Sequence, residues 1–341
     1  MFTKQFRISV FLIFLALTAL NACIYKTQSI ESKDNVDESS LLLSYLEENG
    51  NILNSTALPS IINAVEVYEN LENPGYLVID LRPKHEYMRG FIPRAVNVLP
   101  KEILDFFEHS IDPEQYEEIV LTCPNGSLSG YVNAVLLFLG YNNVSTLRFG
   151  MSSWRENIAG KYWLSAISDT LAGRLEVTSN PKKLDGSLPI IYTGEAMGHN
   201  ILLKRAREIL DVSLEDVEIG INELLNNPRK YYLIGYWPEH QYNQGHISGS
   251  IHYEPKKSLH SSEEIKTLPA EKPILLYCYS GHHTAFVAPF LRLLGYEAYN
   301  LSYGANSFIY STMSKDPSPT RSFSVKSIGN YPVYIGREKI N

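Results

Sequence analysis

Two apolar runs, Ile119-Val120-Leu121-Thr122 and Ile274-Leu275-Leu276-Tyr277, each end on a cysteine. A few polar residues follow, and then apolar positions at helical spacing, "SGYVNAVLLFLGY" (129–141) and "HTAFVAPFLRLLGY" (283–296). Short unbroken apolar runs predict strands buried on both faces, and the segments behind them predict helices that close at Gly140 and Gly295. Upstream, "IINAVEVYENL" (61–71) and "EIGINELL" (218–225) read as helices, and "GYLVIDL" (75–81) and "KYYLIGY" (230–236) as strands. Further short strands fall at "AVNVLP" (95–100), "SIHYEP" (250–255), "VSTLRFG" (144–150) and "AYNLSYG" (298–304). Strands alternating with helices imply a parallel sheet with helices on both faces, so the fold class is α/β. In such sheets sites form beyond the carboxyl ends of strands, where both cysteines stand.

The pattern occurs twice. Cys123 and Cys278 are 155 positions apart, and Tyr76/Tyr231, Pro83/Pro238, His85/His240, Tyr87/Tyr242, Gly90/Gly245, Ile92/Ile247, Gly126/Gly281 and Gly140/Gly295 keep the same offset. A period of domain size means two similar domains rather than a solenoid. The expected organisation is a leader at 1–22, a tether at 23–45 and a first domain at 46–165. A linker or wrap-around arm at 166–195 leads to a second domain at 196–312 and a tail at 313–341.

Composition adds little until the ends are read. The chain has 341 residues, 44% hydrophobic and 20% charged, and a net charge of −7 with no dense Lys/Arg cluster. That argues against nucleic-acid partners. Lys4 and Arg7 precede an apolar run from Ile8 to Leu20 that is short for a membrane span and suits an export signal. "LNAC" (20–23) resembles the lipobox of bacterial lipoproteins, which implies acylation at Cys23 and an anchor to a membrane surface. Ile24 after that cysteine implies, for a Gram-negative cell, the outer membrane facing the periplasm.

With Cys23 set aside, two thiols remain. Each sits in a strand–loop–helix arrangement, "CPNGSLS" (123–129) and "CYSGHHT" (278–284). Amides turned inward at Gly126 and Gly281, together with a helix start, would stabilise a thiolate, and Ser129 or Thr284 could donate to it. The alternatives are a packed structural thiol, a Cys123–Cys278 disulfide, and a metal site of Cys278 with His282, His283 and His246. Tyr279, inside the loop, is the tyrosine to watch.

These residues resemble the rhodanese-like (sulfurtransferase) family in tandem. The early signature is carried by Asp80, Arg82, Glu86, Tyr87, Gly90, Ile92, Pro93, Ala95 and Asn97, and in the second copy by Tyr242, Gly245, His246, Ile247 and Gly249. The resemblance implies two domains of the family fold and a persulfide on the loop cysteine. It implies a small anionic sulfur donor, a thiol acceptor and no cofactor or metal. The loop length matches sulfurtransferases rather than the related phosphatases. Where the family commonly has arginine before the final Ser/Thr, this chain has Leu128 and His283. Pro124 also removes an amide from the first loop. Cys123, in the loop Pro124-Asn125-Gly126-Ser127-Leu128-Ser129, is therefore expected to be weak. Cys278 is the expected nucleophile, with Tyr279, Ser280, Gly281, His282, His283 and Thr284 around it and a histidine supplying charge. Asp80, Arg82, Glu86, Gly90, Gly245 and His246 are expected to brace the fold, although the second copy replaces the early Asp and Arg with Gly235 and Trp237. The other reading is a non-catalytic module at the cell envelope that binds a partner or anion.

Overall fold

The computed structural model describes residues 37–318, 320–336 and 338–340. The export segment and Cys23 lie outside them. No helix among the described residues is long and apolar enough to cross a membrane.

Two five-stranded parallel sheets form. In the first the strands are β1 (Ile61–Ile62), β2 (Tyr76–Asp80), β3 (Val96–Asn97), β4 (Glu118–Thr122) and β5 (Val144–Leu147), in the spatial order β1-β5-β4-β2-β3. In the second they are β6 (Glu218–Ile219), β7 (Tyr232–Gly235), β8 (Ile251–His252), β9 (Ile274–Tyr277) and β10 (Ala298–Leu301), in the order β6-β10-β9-β7-β8. The cysteine-bearing strands β4 and β9 are central in their sheets, which explains their unbroken apolar character. One expectation fails at the edges. Residues 61–62 and 218–219, read as helix starts, pair with β5 and β10 instead, and the helices begin at Ala64 and Ile221. Two-residue strands are too short for periodicity to reveal.

The halves are packed on each other through the helices that follow the cysteine loops, Ser127–Phe138 and His282–Leu293. Gly130 lets them approach, since a Cβ there would stand 3.1 Å from Ala285 Cβ and 3.2 Å from the Phe286 ring. One buried cluster draws on both halves, from Leu121, Val132 and Leu136 to Phe286, Leu291 and Ala298.

The segments outside the sheets are more structured than expected. The tether does not run to residue 45: Glu38–Glu48 is a helix that buries Leu42, Leu43 and Leu46 and packs on the helix Gly198–Ile209. Its Glu38 carboxylate accepts hydrogen bonds from the Thr193 amide and hydroxyl and from the Gly194 amide, at 2.6–2.8 Å. Residues 167–197 lie along the second sheet's domain, with Glu176 and His246 exchanging backbone hydrogen bonds at 2.9 Å. The tail is no loose end. Phe323 is fully buried against Phe149 and Trp163, and β11 (Val333–Ile335) pairs at Tyr334 with Phe91 of the first domain. Apolar side chains spaced along 323–335 pack on the first domain, Tyr331 against Tyr68 and Trp154 and Val333 in the cluster with Val78 and Ile92.

The brace of the first domain is an ion pair: Arg82 Nη2 lies 2.6 Å from Asp80 Oδ2, both buried, and donates also to Gly90 O at 2.7 Å. Glu86 accepts from Lys161 Nζ at 2.9 Å and from the Tyr162 hydroxyl. In the second domain a hydroxyl occupies the equivalent place. A Cβ on Gly235 would meet Tyr277 Oη at 3.0 Å, and that oxygen accepts from the Ile247 amide (3.2 Å) and bonds Ser250 Oγ (2.8 Å). Tyr277 thus replaces a buried charge pair with neutral bonds, which avoids its desolvation cost.

Candidate active site

Each cysteine is delivered by its central strand, and its carbonyl is pinned by the turn after the last strand. Met151 N donates to Cys123 O at 2.8 Å and Ala305 N to Cys278 O at 2.9 Å. These turns run close under the loops. A Cβ on Gly304, at φ 53°, would sit 2.4 Å from Cys278 O, so only glycine fits.

The two sulfurs differ. Cys123 is fully buried, and its Sγ accepts from Gly126 N (3.2 Å), Ser129 N (3.4 Å) and Ser129 Oγ (3.4 Å). Burial pushes this thiol up, and those hydrogen bonds only partly oppose it. Leu128, 3% exposed, belongs with Cys123 to the main buried apolar cluster and brings no charge to the loop. The expected amide cradle is therefore most complete around the thiol that solvent does not reach. Cys278 Sγ lies 3.5 Å from the Thr284 hydroxyl, which bonds Asn300 Oδ1 at 2.6 Å, and lines a cavity of about 310 Å³. Both thiols are free, so the disulfide alternative falls.

The histidines do not carry the expected charge. His282 Nε2 accepts from the Phe149 amide at 2.9 Å, so the ring proton sits on Nδ1, 3.0 Å from Ser280 Oγ. Burial, with Arg148 adding repulsion, pulls its pKa down to about 3. Burial, with Lys256 nearby, pulls His283 down to about 4. His282 lies against Phe149 and Trp163 of the first domain, whereas half-buried His283 packs edge-on to Tyr236 of its own domain. His246 stacks on Tyr242 with ring centroids 3.7 Å apart and does not line the Cys278 cavity, so the four proposed metal ligands do not converge.

Charge comes from elsewhere. The cavity over Cys278 is walled by Pro59, Ile61 and Arg148 of the first domain and by Thr320 and Arg321 of the tail. The Arg148 Nε donates to Asn63 Oδ1 at 2.8 Å, and among the described residues no carboxylate pairs with it. Arg321 lies 4.3 Å over the Tyr279 ring and 2.6 Å from Asp316. Two polar atoms of the same wall, His283 Nε2 and Tyr279 Oη, are buried without a hydrogen-bond partner among the described residues. Sequence reasoning missed both arginines. Arg148 stands just past a strand, and Arg321 lies in a segment with no pattern of its own. Glu218 was missed too: it takes both hydrogen bonds of the Asn125 amide group (3.0 and 3.2 Å), and burial raises its pKa to about 7.

A family model of the rhodanese-like domain matches residues 63–157 and 222–310, together more than half of the chain. The chain belongs to the rhodanese-like domain family. It holds two copies of that domain, as the paired sheets require. Among curated proteins, the chain is 26% identical over 100 residues to "Adenylyltransferase and sulfurtransferase UBA4" of Meyerozyma guilliermondii, covering 28% of this chain. It spans about a quarter (24%) of that relative's length. Among solved structures, a rhodanese-related protein of Thermoplasma volcanium is 26% identical, covering 29% of this chain and 92% of that one, with a TM-score of 0.26. A thiosulfate sulfurtransferase of Pseudomonas aeruginosa is 17% identical, covering 83% of this chain and 49% of that one, with a TM-score of 0.31.

Proposed function

We propose that this rhodanese-like protein is a sulfurtransferase that carries sulfane sulfur as a persulfide on Cys278. The observation that carries the reading is the cavity at Cys278, which puts a free thiol at a strand end beside two guanidinium groups. With a thiosulfate-type donor, the Cys278 thiolate attacks the outer sulfur. The new S–S bond forms as the donor's S–S bond breaks, and sulfite leaves with the electron pair. An acceptor thiolate then attacks the outer persulfide sulfur and releases Cys278 as thiolate. Thr284 Oγ1 lies 3.5 Å from the sulfur but donates its one proton to Asn300 Oδ1 at 2.6 Å, so it serves the thiolate only by turning from that partner. A polysulfide donor fits the same scheme with a shortened polysulfide as leaving group. With a mercaptopyruvate-like donor the bond broken is instead C–S, and the electron pair leaves on the enolate of the keto acid. No cofactor is required by it.

The test is the mass of the Cys278 peptide after exposure to thiosulfate, with Cys278→Ser and Cys123→Ser controls. A gain of one sulfur on Cys278 alone supports the reading. No gain, and no cyanide-dependent thiocyanate, leaves the binding-module alternative, which the 2% exposure of Cys278 and the neutral histidines favour. The same proposal places the body at the cell envelope, tethered by a lipid on Cys23. Lys4, Arg7 and the apolar run ending in "LNAC" support this. Loss of membrane fractionation in Cys23→Ala checks it.

A further inference from the structure

Nothing within the second domain's own loop brings a fixed positive charge to Cys278, because His282 is locked as an acceptor and half-buried His283 has its pKa pulled down to about 4. Yet the cavity contains two arginines, and both come from outside that loop. Arg148 follows β5 of the first domain, and Arg321 belongs to the arm that follows the second. Arg148 is held by the neutral Asn63 amide oxygen rather than by a carboxylate, so its charge is not cancelled by an ion pair. Asp316 takes one of Arg321's donors, and the Tyr279 ring supports the guanidinium's face.

The arm is fixed so as to present that side chain. Asn306, fully buried, donates through Nδ2 to both Tyr279 O and Arg321 O at 2.8 Å, and its Oδ1 accepts from Phe323 N at 3.2 Å. One side chain therefore ties the cysteine loop to the arm. Phe323 then closes the anchor against Phe149 and Trp163. In the same wall His283 Nε2 and Tyr279 Oη stand buried and, among the described residues, without a hydrogen-bond partner. Buried polar groups left unpaired are costly, and a ligand with several oxygen acceptors would satisfy the Tyr279 hydroxyl and the guanidinium donors together.

We infer that Arg148 and Arg321 form a composite clamp for the oxyanion end of the substrate at Cys278, one arm of it supplied by the first domain and the other by the C-terminal segment. This rests on the transfer reading for what the substrate is, but the clamp itself binds an anion whether or not sulfur moves. It gives the first copy a role in the second copy's site without any chemistry at Cys123. It also makes Thr320 and Arg321 part of the site.

The experiment is calorimetric titration of thiosulfate into the full chain carrying Cys278→Ser, which binds without reacting. One site is expected, weakening as salt is raised. Arg148→Gln and Arg321→Gln, made separately in that background, are each expected to weaken binding by about tenfold or more, the worth of a charge-assisted contact. Arg321→Lys and Arg148→Lys keep the charge and lose the fork, and are expected to weaken it by about threefold. They decide the matter if a glutamine variant fails to fold. Absence of binding to the Cys278→Ser chain, or unchanged affinity in the variants, overturns the clamp. The persulfide mass on native Cys278 is a separate reading. Thiosulfate binding that depends on the arginines, with no sulfur gained, keeps the clamp and removes the transferase.

Discussion

Leu128 and His283 occupy the same place in the two copies, and neither supplies charge, but they do so for different physical reasons. Leu128 packs as a core side chain beside a thiol that solvent does not touch. Trimming it to alanine is expected to raise the rate at which iodoacetamide labels Cys123, by tenfold or more, while Cys278 labelling stays the same; peptide mass mapping reads both. His283 and His282 are polar groups whose charge is suppressed by burial. The sign for His282 follows directly. Its native pKa lies near 3 against 6.5 in the unfolded chain, so the unfolded state binds the extra proton and stability falls as pH drops through that window. Glu218 acts in the opposite sense: with its pKa raised to about 7, it costs stability as pH rises from 4.5 to 7. His282→Asn is expected to flatten the acid limb of a Tm-against-pH curve, and Glu218→Gln the neutral limb. At this scale the sequence disclosed that Cys123 and Cys278 follow buried strands and that Gly126 and Gly281 open the helices behind them. It did not disclose their charge states, because Phe149, Trp163 and Asn125 reach His282 and Glu218 from the other copy.

Central strands and the helices behind them were legible because burial on both faces writes itself as uninterrupted apolar runs. Edge strands β1 and β6 were not, for two residues carry no period. The pairing of the Ser127–Phe138 and His282–Leu293 helices was also hidden. A helix apolar on all sides announces burial without naming its partner. Gly130 marks that contact, and Gly130→Val is expected to destabilise the protein by about 1–3 kcal/mol, since the new side chain meets Ala285 and Phe286 with no free space. Denaturant unfolding measures this, and Gly140→Ala, with no neighbour within 4 Å of the added methyl, isolates backbone strain from crowding because its φ is 98°.

Duplication suggests two bodies that fold apart, and here the whole molecule departs from what the repeat implies. The main apolar cluster crosses between the copies, the helix Glu38–Glu48 packs on Gly198–Ile209, and the arm returns from the second domain to Phe91 and Trp154 of the first. A single calorimetric transition is therefore expected, with the van't Hoff and calorimetric enthalpies equal, and residues 46–165 alone are expected to lack a cooperative transition. The repeat was legible from paired landmarks, whereas the arm's course was not, since its contacts exist only in three dimensions. That course has a consequence for synthesis. The ribosome makes Arg321 and Phe323 after every strand of both five-stranded sheets, so the wall over Cys278 is finished only after both sheets have been made. A chain stopped before Thr320 would hold that thiol with one side of its approach unguarded, and the charged wall would be complete only once Arg321 had been added.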